Sequence, residues 1–245
     1  MTDPTGLGTP ARHAPGRSSR KRHWWRWILV GAVALVALAV LAVGLVIKLQ
    51  PAPPPLALPA GRASAPAGPI DGTWDVTAGS VAGFRVRESA LGMTNDVVGR
   101  TNGVTGAIVV SGGRVTAATL RIDLTTIKVN GKAQAQFAKS LDTARHPVAT
   151  FTLAHPVTVG SALTAGAVVT LTATGRLTMN GASHLVIFTV SARRDGAVLQ
   201  AAGSLPVSFS AWGIGTPAGY AFLGSLASHG AAEFLVVLHR GGADG

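Results

Sequence analysis

Between residues 70 and 240, apolar and polar positions alternate in short runs. Leu120, Ile122 and Leu124 alternate with Arg121, Asp123 and Thr125, the period of a half-buried strand. Strand-like runs fall at about 72–77, 80–88, 97–111, 114–127, 148–158, 164–180, 182–194, 197–210 and 231–240, separated by SGG, NG, DG and PAG. Those separators form turns. The texture breaks at GKAQAQFAKSL, Gly131 to Leu141, which is rich in helix formers and predicts one short helix or helical turn. Many antiparallel strands with a single helical insertion predict an all-β domain, a barrel or a sandwich. The long runs favour an up-and-down barrel, and one of eight strands is either filled by side chains or holds one slender ligand.

A second pattern precedes the first. Residues 28–47, ILVGAVALVALAVLAVGLVI, carry no charge. Twenty residues of helix span about 30 Å, the thickness of a bilayer core. Residues 27–48 are therefore read as a single transmembrane helix. A cleaved signal peptide has a shorter apolar region, of about 7–15 residues, although the small residues of ALPA and RASA leave later cleavage open. Arg12, Arg17, Arg20, Lys21, Arg22 and Arg26 precede the helix, opposed only by Asp3. This bias places the N-terminus in the cytoplasm and the β-patterned domain outside the cell membrane. Trp24, Trp25 and Trp27 fit an interfacial belt. Residues 1–26 read as a basic disordered tail, and 241–245 as a second disordered tail. Residues 49–69 hold seven of the fourteen prolines and read as an extended linker of roughly 60 Å.

Composition narrows the function. Over residues 71–240 there are 13 Lys and Arg against 8 Asp and Glu, scattered along the chain. Nucleic-acid binding calls for a clustered basic stripe with aromatics, so no nucleic-acid partner is expected. There is no cysteine, which excludes disulfides and thiolate chemistry. The seven histidines form neither H-x-H nor H-E-x-x-H, and the carboxylates are dispersed. No metal, cofactor or catalytic residue is assigned. A hydrolase would have to assemble a base with Ser80, Ser208 or Ser210 by folding.

Four stretches, in order, resemble YceI-like domains. They are GTWDVTAGSVAGFRV from Gly72; DLTTIKVNG with LDTARHPVATF, ending at Phe151; GRLTMNGASHLVIFTV from Gly175; and SFSAWGIGTP from Ser208 with the closing AEFLVVLHR. The resemblance covers about 70–240. It implies an elongated, lipocalin-like antiparallel β-barrel outside the cytoplasm, in a family associated with binding a long isoprenoid in an apolar tunnel. The segment KAQAQFAK lacks the Arg-Asp pair and His-Leu usual in the family, and Leu141 replaces the aromatic that usually precedes Asp142.

The tunnel-lining candidates are Phe84, Phe151, Phe188, Phe209 and Trp212. Alternation cannot separate a filled from an open barrel, but small inward candidates such as Ala107, Ala117, Ala173 and Ala202 favour an open one. Each CH₂ buried from water gives about 0.8 kcal/mol. A lipid drawn from a membrane forfeits most of that gain, so selectivity rests on shape and a few polar groups. The expected function is a membrane-anchored, non-catalytic binding protein carrying an isoprenoid or similar amphiphilic lipid. The alternative is an envelope interaction module with a filled barrel. A homodimer is compatible with either.

Overall fold

The computed structural model describes residues 21–48, 52–61, 63–66, 68–90, 93–216 and 224–241. They fall into two units, 1–50 and 51–245. In the first, α1 (Lys21–Lys48) is one helix of 28 residues. Its described large apolar side chains are exposed, from 50% at Ile28 to 73% at Leu38, so none of them is packed in a core. Among the described residues no helix is long and apolar enough to cross a membrane. The longest unbroken run of described side chains in α1 is 28–39. Most of the expected tail (1–20), the tryptophan side chains, and residues 242–245 lie outside the described residues.

The second unit contains β1 (Gly72–Val76), β2 (Val81–Ala90), β3 (Met93–Thr101), β4 (Val104–Ser111), β5 (Arg114–Asp123), β6 (Lys128–Val129), α2 (Ala135–Ser140), β7 (Val148–Leu153), β8 (Val157–Thr158), α3 (Gly160–Thr164), β9 (Val169–Met179), β10 (Ala182–Asp195), β11 (Val198–Ser208) and β12 (Gly224–Arg240). All pairings are antiparallel. The ring runs β1-β4-β5-β7-β9-β10-β11-β12 and closes because β1 pairs with both β4 and β12. An eight-stranded closed barrel results, of lipocalin-like all-β type. Strands β1 and β2 lie end to end along β12, against residues 238–240 and 224–235 respectively. This stacking lengthens the barrel, and β3 and β6 continue the wall beside β2.

Local chemistry explains the turns. Asn180 and Gly181, both at positive φ, form the two-residue loop between β9 and β10, the signature of a tight hairpin. The run expected at 97–111 breaks at Asn102–Gly103, where Gly103 N–H bonds to Thr101 Oγ1. The stretch 160–164 is helical as α3, an element the sequence reading missed between its 148–158 and 164–180 runs. The last strand begins at Gly224 rather than 231, because GSLASHG has too little alternation to read as a strand. The expected helix is confined to α2.

One end of the barrel is packed shut. Trp74, Val110, Leu163 and Leu238 are each at most 2% exposed there, with α3 supplying Leu163. Trp74 Nε1–H donates to Ile70 O at 2.8 Å, and the Arg194 guanidinium lies 5.6 Å from the centroid of its ring. Burial lowers the pKa of Arg194, with Arg240 adding to the effect.

The proline-rich segment departs furthest from expectation. It groups with the barrel and lies along it as a strap instead of standing off as a free 60 Å linker. Arg85 donates to Pro53 O at 2.7 Å, Arg193 to Gly61 O at 2.9 Å and Arg194 to Gly68 O at 2.7 Å, and Arg100 donates to Pro54 O. In return, Leu56 N–H reaches Glu233 at 3.4 Å and Ser64 N–H reaches Asp195 at 2.7 Å. The cause is physical. A polyproline-type chain makes no internal hydrogen bonds, so its carbonyls are free acceptors wherever arginines face them.

Candidate ligand-binding cavity

The inward residues of the ring enclose a cavity of about 280 Å³. It begins above Val159, Leu163, Leu199 and Leu238 at the packed end and runs to Leu141, Met179, Ile214, Gly215 and Leu226 at the other. Those last five are partly or fully exposed, so this is the mouth. The lining is apolar apart from Ser140 and Glu233. The Glu233 carboxylate is engaged on the outer wall, accepting from Arg85 Nε at 2.6 Å. No ionised side chain is thus spent on the lumen by these lining residues.

The aromatic residues show how an interior with many phenylalanines stays open. Phe84 pairs across the β2–β3 ladder with Gly99. A Cβ at Gly99 would fall 2.4 Å from the Phe84 ring, so the ring lies flat over the glycine. Phe151 lies over Gly175 in the same way, at 2.3 Å, and Phe234 over its ladder partner Gly203, at 2.8 Å. Each missing side chain gives a ring a seat on the wall. The rings then pack on one another: Phe151–Phe188 at 5.3 Å and Phe188–Phe234 at 5.7 Å are edge-to-face, and Phe84–Phe137 at 5.8 Å is stacked. These are favourable aromatic geometries.

Of the sequence candidates, Phe84, Phe151, Phe188 and Phe209 line the cavity; Trp212 does not. Trp212 is 4% exposed in a 3-10 turn over residues 210–212. Its carbonyl accepts from Asn180 Nδ2 at 2.9 Å and its ring meets the edge of His184, so it seals the β9–β10 hairpin. Sequence reasoning missed Phe137 and Phe234. The alternation Ala232, Phe234, Val236, Leu238 was a sufficient signal for the second. Phe137, the one large apolar residue of KAQAQFAK, was a signal for the first.

The small-residue argument needs correcting. Only Ala173 of the four named alanines lines the cavity. Ala118, in step with Leu120 and Ile122, takes the inner face and Ala117 does not, and Ala107 and Ala202 point outward. Other alanines do line it, Ala82, Ala118, Ala149, Ala192 and Ala201 among them, and they open this barrel together with the glycines beneath the rings.

Polar chemistry is sparse. Ser80 Oγ, 2% exposed, accepts from Val237 N–H at 2.9 Å and donates to Val237 O, so it ties β12 to the β1–β2 junction. Ser208 and Ser210 bond to each other at 3.2 Å. His184 Nε2 lies 2.9 Å from Ala211 O. Asp142 sits at positive φ in a turn, 2.8 Å from Arg145. Among the described residues, no three His, Asp or Glu side chains gather as a metal site.

Comparison with known proteins fits this geometry. The fold resembles the structure of a polyisoprenoid binding domain from Saccharophagus degradans implicated in plant cell wall breakdown. The TM-score is 0.53 at 17% identity, over 70% of this chain and 99% of that one. Burkholderia cenocepacia BcnA aligns at a TM-score of 0.47 and 17% identity, over 64% and 95% of the two chains. No curated protein matches the sequence. The family model of the YceI-like domain matches residues 74–231, well over half of the chain, and the protein therefore belongs to the YceI-like domain family.

Proposed function

We propose that the barrel binds the hydrocarbon part of an isoprenoid or similar amphiphilic lipid, without catalysis. The supporting observation is the lumen itself: an almost wholly apolar wall, open at one end, with its aromatic rings laid flat over glycines. Such a cavity favours a chain-like apolar ligand with few polar contacts. Phe84, Phe151, Phe188 and Phe209, with Phe137 and Phe234, are its contact residues. The polyisoprenoid binding of the structural neighbour supports the same ligand class. In this reading α1 is a single-pass anchor, with the N-terminus cytoplasmic and the barrel on the outer side. The charge-free run 28–47 behind a basic segment carries that part.

The test is to secrete residues 51–245, extract the folded protein with organic solvent, and identify bound lipids by mass spectrometry. A stoichiometric prenyl compound is the expected result. A folded barrel that arrives empty, and stays empty when offered membrane extract, would sink the reading in favour of a protein-interaction module.

A further inference from the structure

We propose that the mouth of the barrel is a docking face for an anionic lipid bilayer, and that the strap keeps it there. The proposal rests on the anchor reading of α1. It does not require a lipid inside the barrel.

The strap has a direction. Its first described residue, Ala52, lies beside Arg87, Thr94 and Asn95. This part of β2 and β3 is at the mouth, because Leu226 of the mouth pairs with Glu88, next to Arg87. From there the strap passes Arg85, Arg100 and Glu233, crosses to Arg193 and Asp195, and ends where Arg240 donates to Pro69 O at 3.0 Å beside Trp74's strand. Val98 and Ala202 point outward by register, yet are only 2% and 3% exposed. Both lie on the wall that the strap crosses. The chain before the strap therefore joins the barrel at its mouth, not at its packed end.

Tether length then becomes decisive. Five steps of chain separate Lys48 from Pro53, about 18 Å at full extension. β12 alone has 17 residues, about 55 Å along the strand and roughly 40 Å along the axis of a barrel whose strands tilt by about 35–45°. With α1 in a bilayer, the mouth lies within reach of the membrane surface and the packed end does not. The rim suits that surface. Lys139 on α2 is exposed, as are Arg87 and Arg145 at 69% and 80%, each beside one carboxylate, Asp96 at 3.6 Å and Asp142 at 2.8 Å. Cations near a membrane are drawn to anionic headgroups.

The chain has no cysteine, so single dyes can be placed cleanly. Full-length Ala138→Cys (rim) and Ser111→Cys (packed-end hairpin) are labelled and reconstituted into phosphatidylcholine–phosphatidylglycerol vesicles with a headgroup quencher in both leaflets. The rim dye should be quenched several-fold more than the packed-end dye. About twenty Gly and Ser residues inserted after Gln50 leave the strap intact and should bring the two dyes level. Equal quenching in the unlengthened chain, stronger quenching at Ser111→Cys, failure to float with the vesicles, or no response to the insertion each overturns the proposal. An empty lumen by mass spectrometry would leave the quenching result standing, so the two readings fail separately.

Discussion

The two halves of this barrel are built from the same alternating strands and end in opposite states. At the packed end, Trp74, Val110, Leu163 and Leu238 fill the interior. Toward the mouth the interior carries more aromatic residues and is nevertheless open. The difference lies in what faces each large side chain across the ladder. Trp74 is opposite Ile108 and Arg240, full-sized neighbours that leave it nowhere to lie but inward. Phe84 and Phe234 are opposite Gly99 and Gly203, and they fold onto the wall. Whether a barrel holds something is thus decided less by how much aromatic volume it contains than by where its glycines stand.

The comparison can be broken from either end. The largest effect is expected from Trp74→Ala, which removes a fully buried ring together with its bond to Ile70 and its stack with Arg194. Unfolding by denaturant should show a loss of about 3–5 kcal/mol. Lipid uptake per folded molecule should hardly change, because Trp74 does not line the cavity. Glu233→Ala comes next. It leaves Arg85 without its closest partner beneath the strap and should cost about 3 kcal/mol. Limited proteolysis should then cut within residues 53–61, on the outside, while the lumen is unchanged. Burial pulls the pKa of Arg85 down, but its bonds to Glu233 and Asp96 outweigh this and raise it; without Glu233 the guanidinium stays charged, as arginine does in proteins, and loses the larger part of its compensation.

Gly99→Ala does the reverse of Trp74→Ala. The added methyl lifts the Phe84 ring into the lumen at a cost of about 1–3 kcal/mol, and lipid uptake should fall by more than stability does. Adding Phe84→Leu should recover both, and a double-mutant cycle measures the coupling. Unaltered uptake in Gly99→Ala would show that the ring's seat does not control the opening. The smallest effect is expected from acid. Bonds from Ser64 hold the Asp195 carboxyl below its usual range. Its folded pKa is thus below its unfolded one, so the contribution is complete above the unfolded value of about 3.9 and is lost as pH falls through the folded value. Amide exchange at Ser64 should stay protected at neutral and mildly acidic pH and rise only below the ordinary carboxylate range, with the arginine-held part of the strap unaffected.

Much of the fold was legible because alternation and turn chemistry are local. The Asn180–Gly181 hairpin and the Leu120-Ile122-Leu124 face needed no partner to be read. The open lumen was not legible, since Gly99 and Phe84 are fifteen residues apart in sequence and meet only once register is known. Three of the four alanines chosen in their place lie on the outer face: Ala117, for one, is out of step with Leu120 and Ile122, and Ala118 holds the inner position. The strap was misread because composition reports stiffness, while docking depends on arginines and carboxylates far along the chain, from Arg85 to Arg240. Trp212 was misplaced because a 3-10 turn carries no period of two.

β12 has a consequence for how the protein comes into being. The ring is sealed when residues 224–240 pair with β11 on one side and with β1 and β2 on the other. These are the last strand and the first in order of synthesis. Until the final stretch has left the ribosome and, in the anchored reading, crossed the membrane, β11 and β2 are bare edges able to pair with any passing strand. Closure is a contact between residues more than 150 positions apart, which makes it slow. This chain should therefore depend on being shielded until that strand is in place, and a premature stop before residue 224 should yield aggregates rather than a smaller barrel.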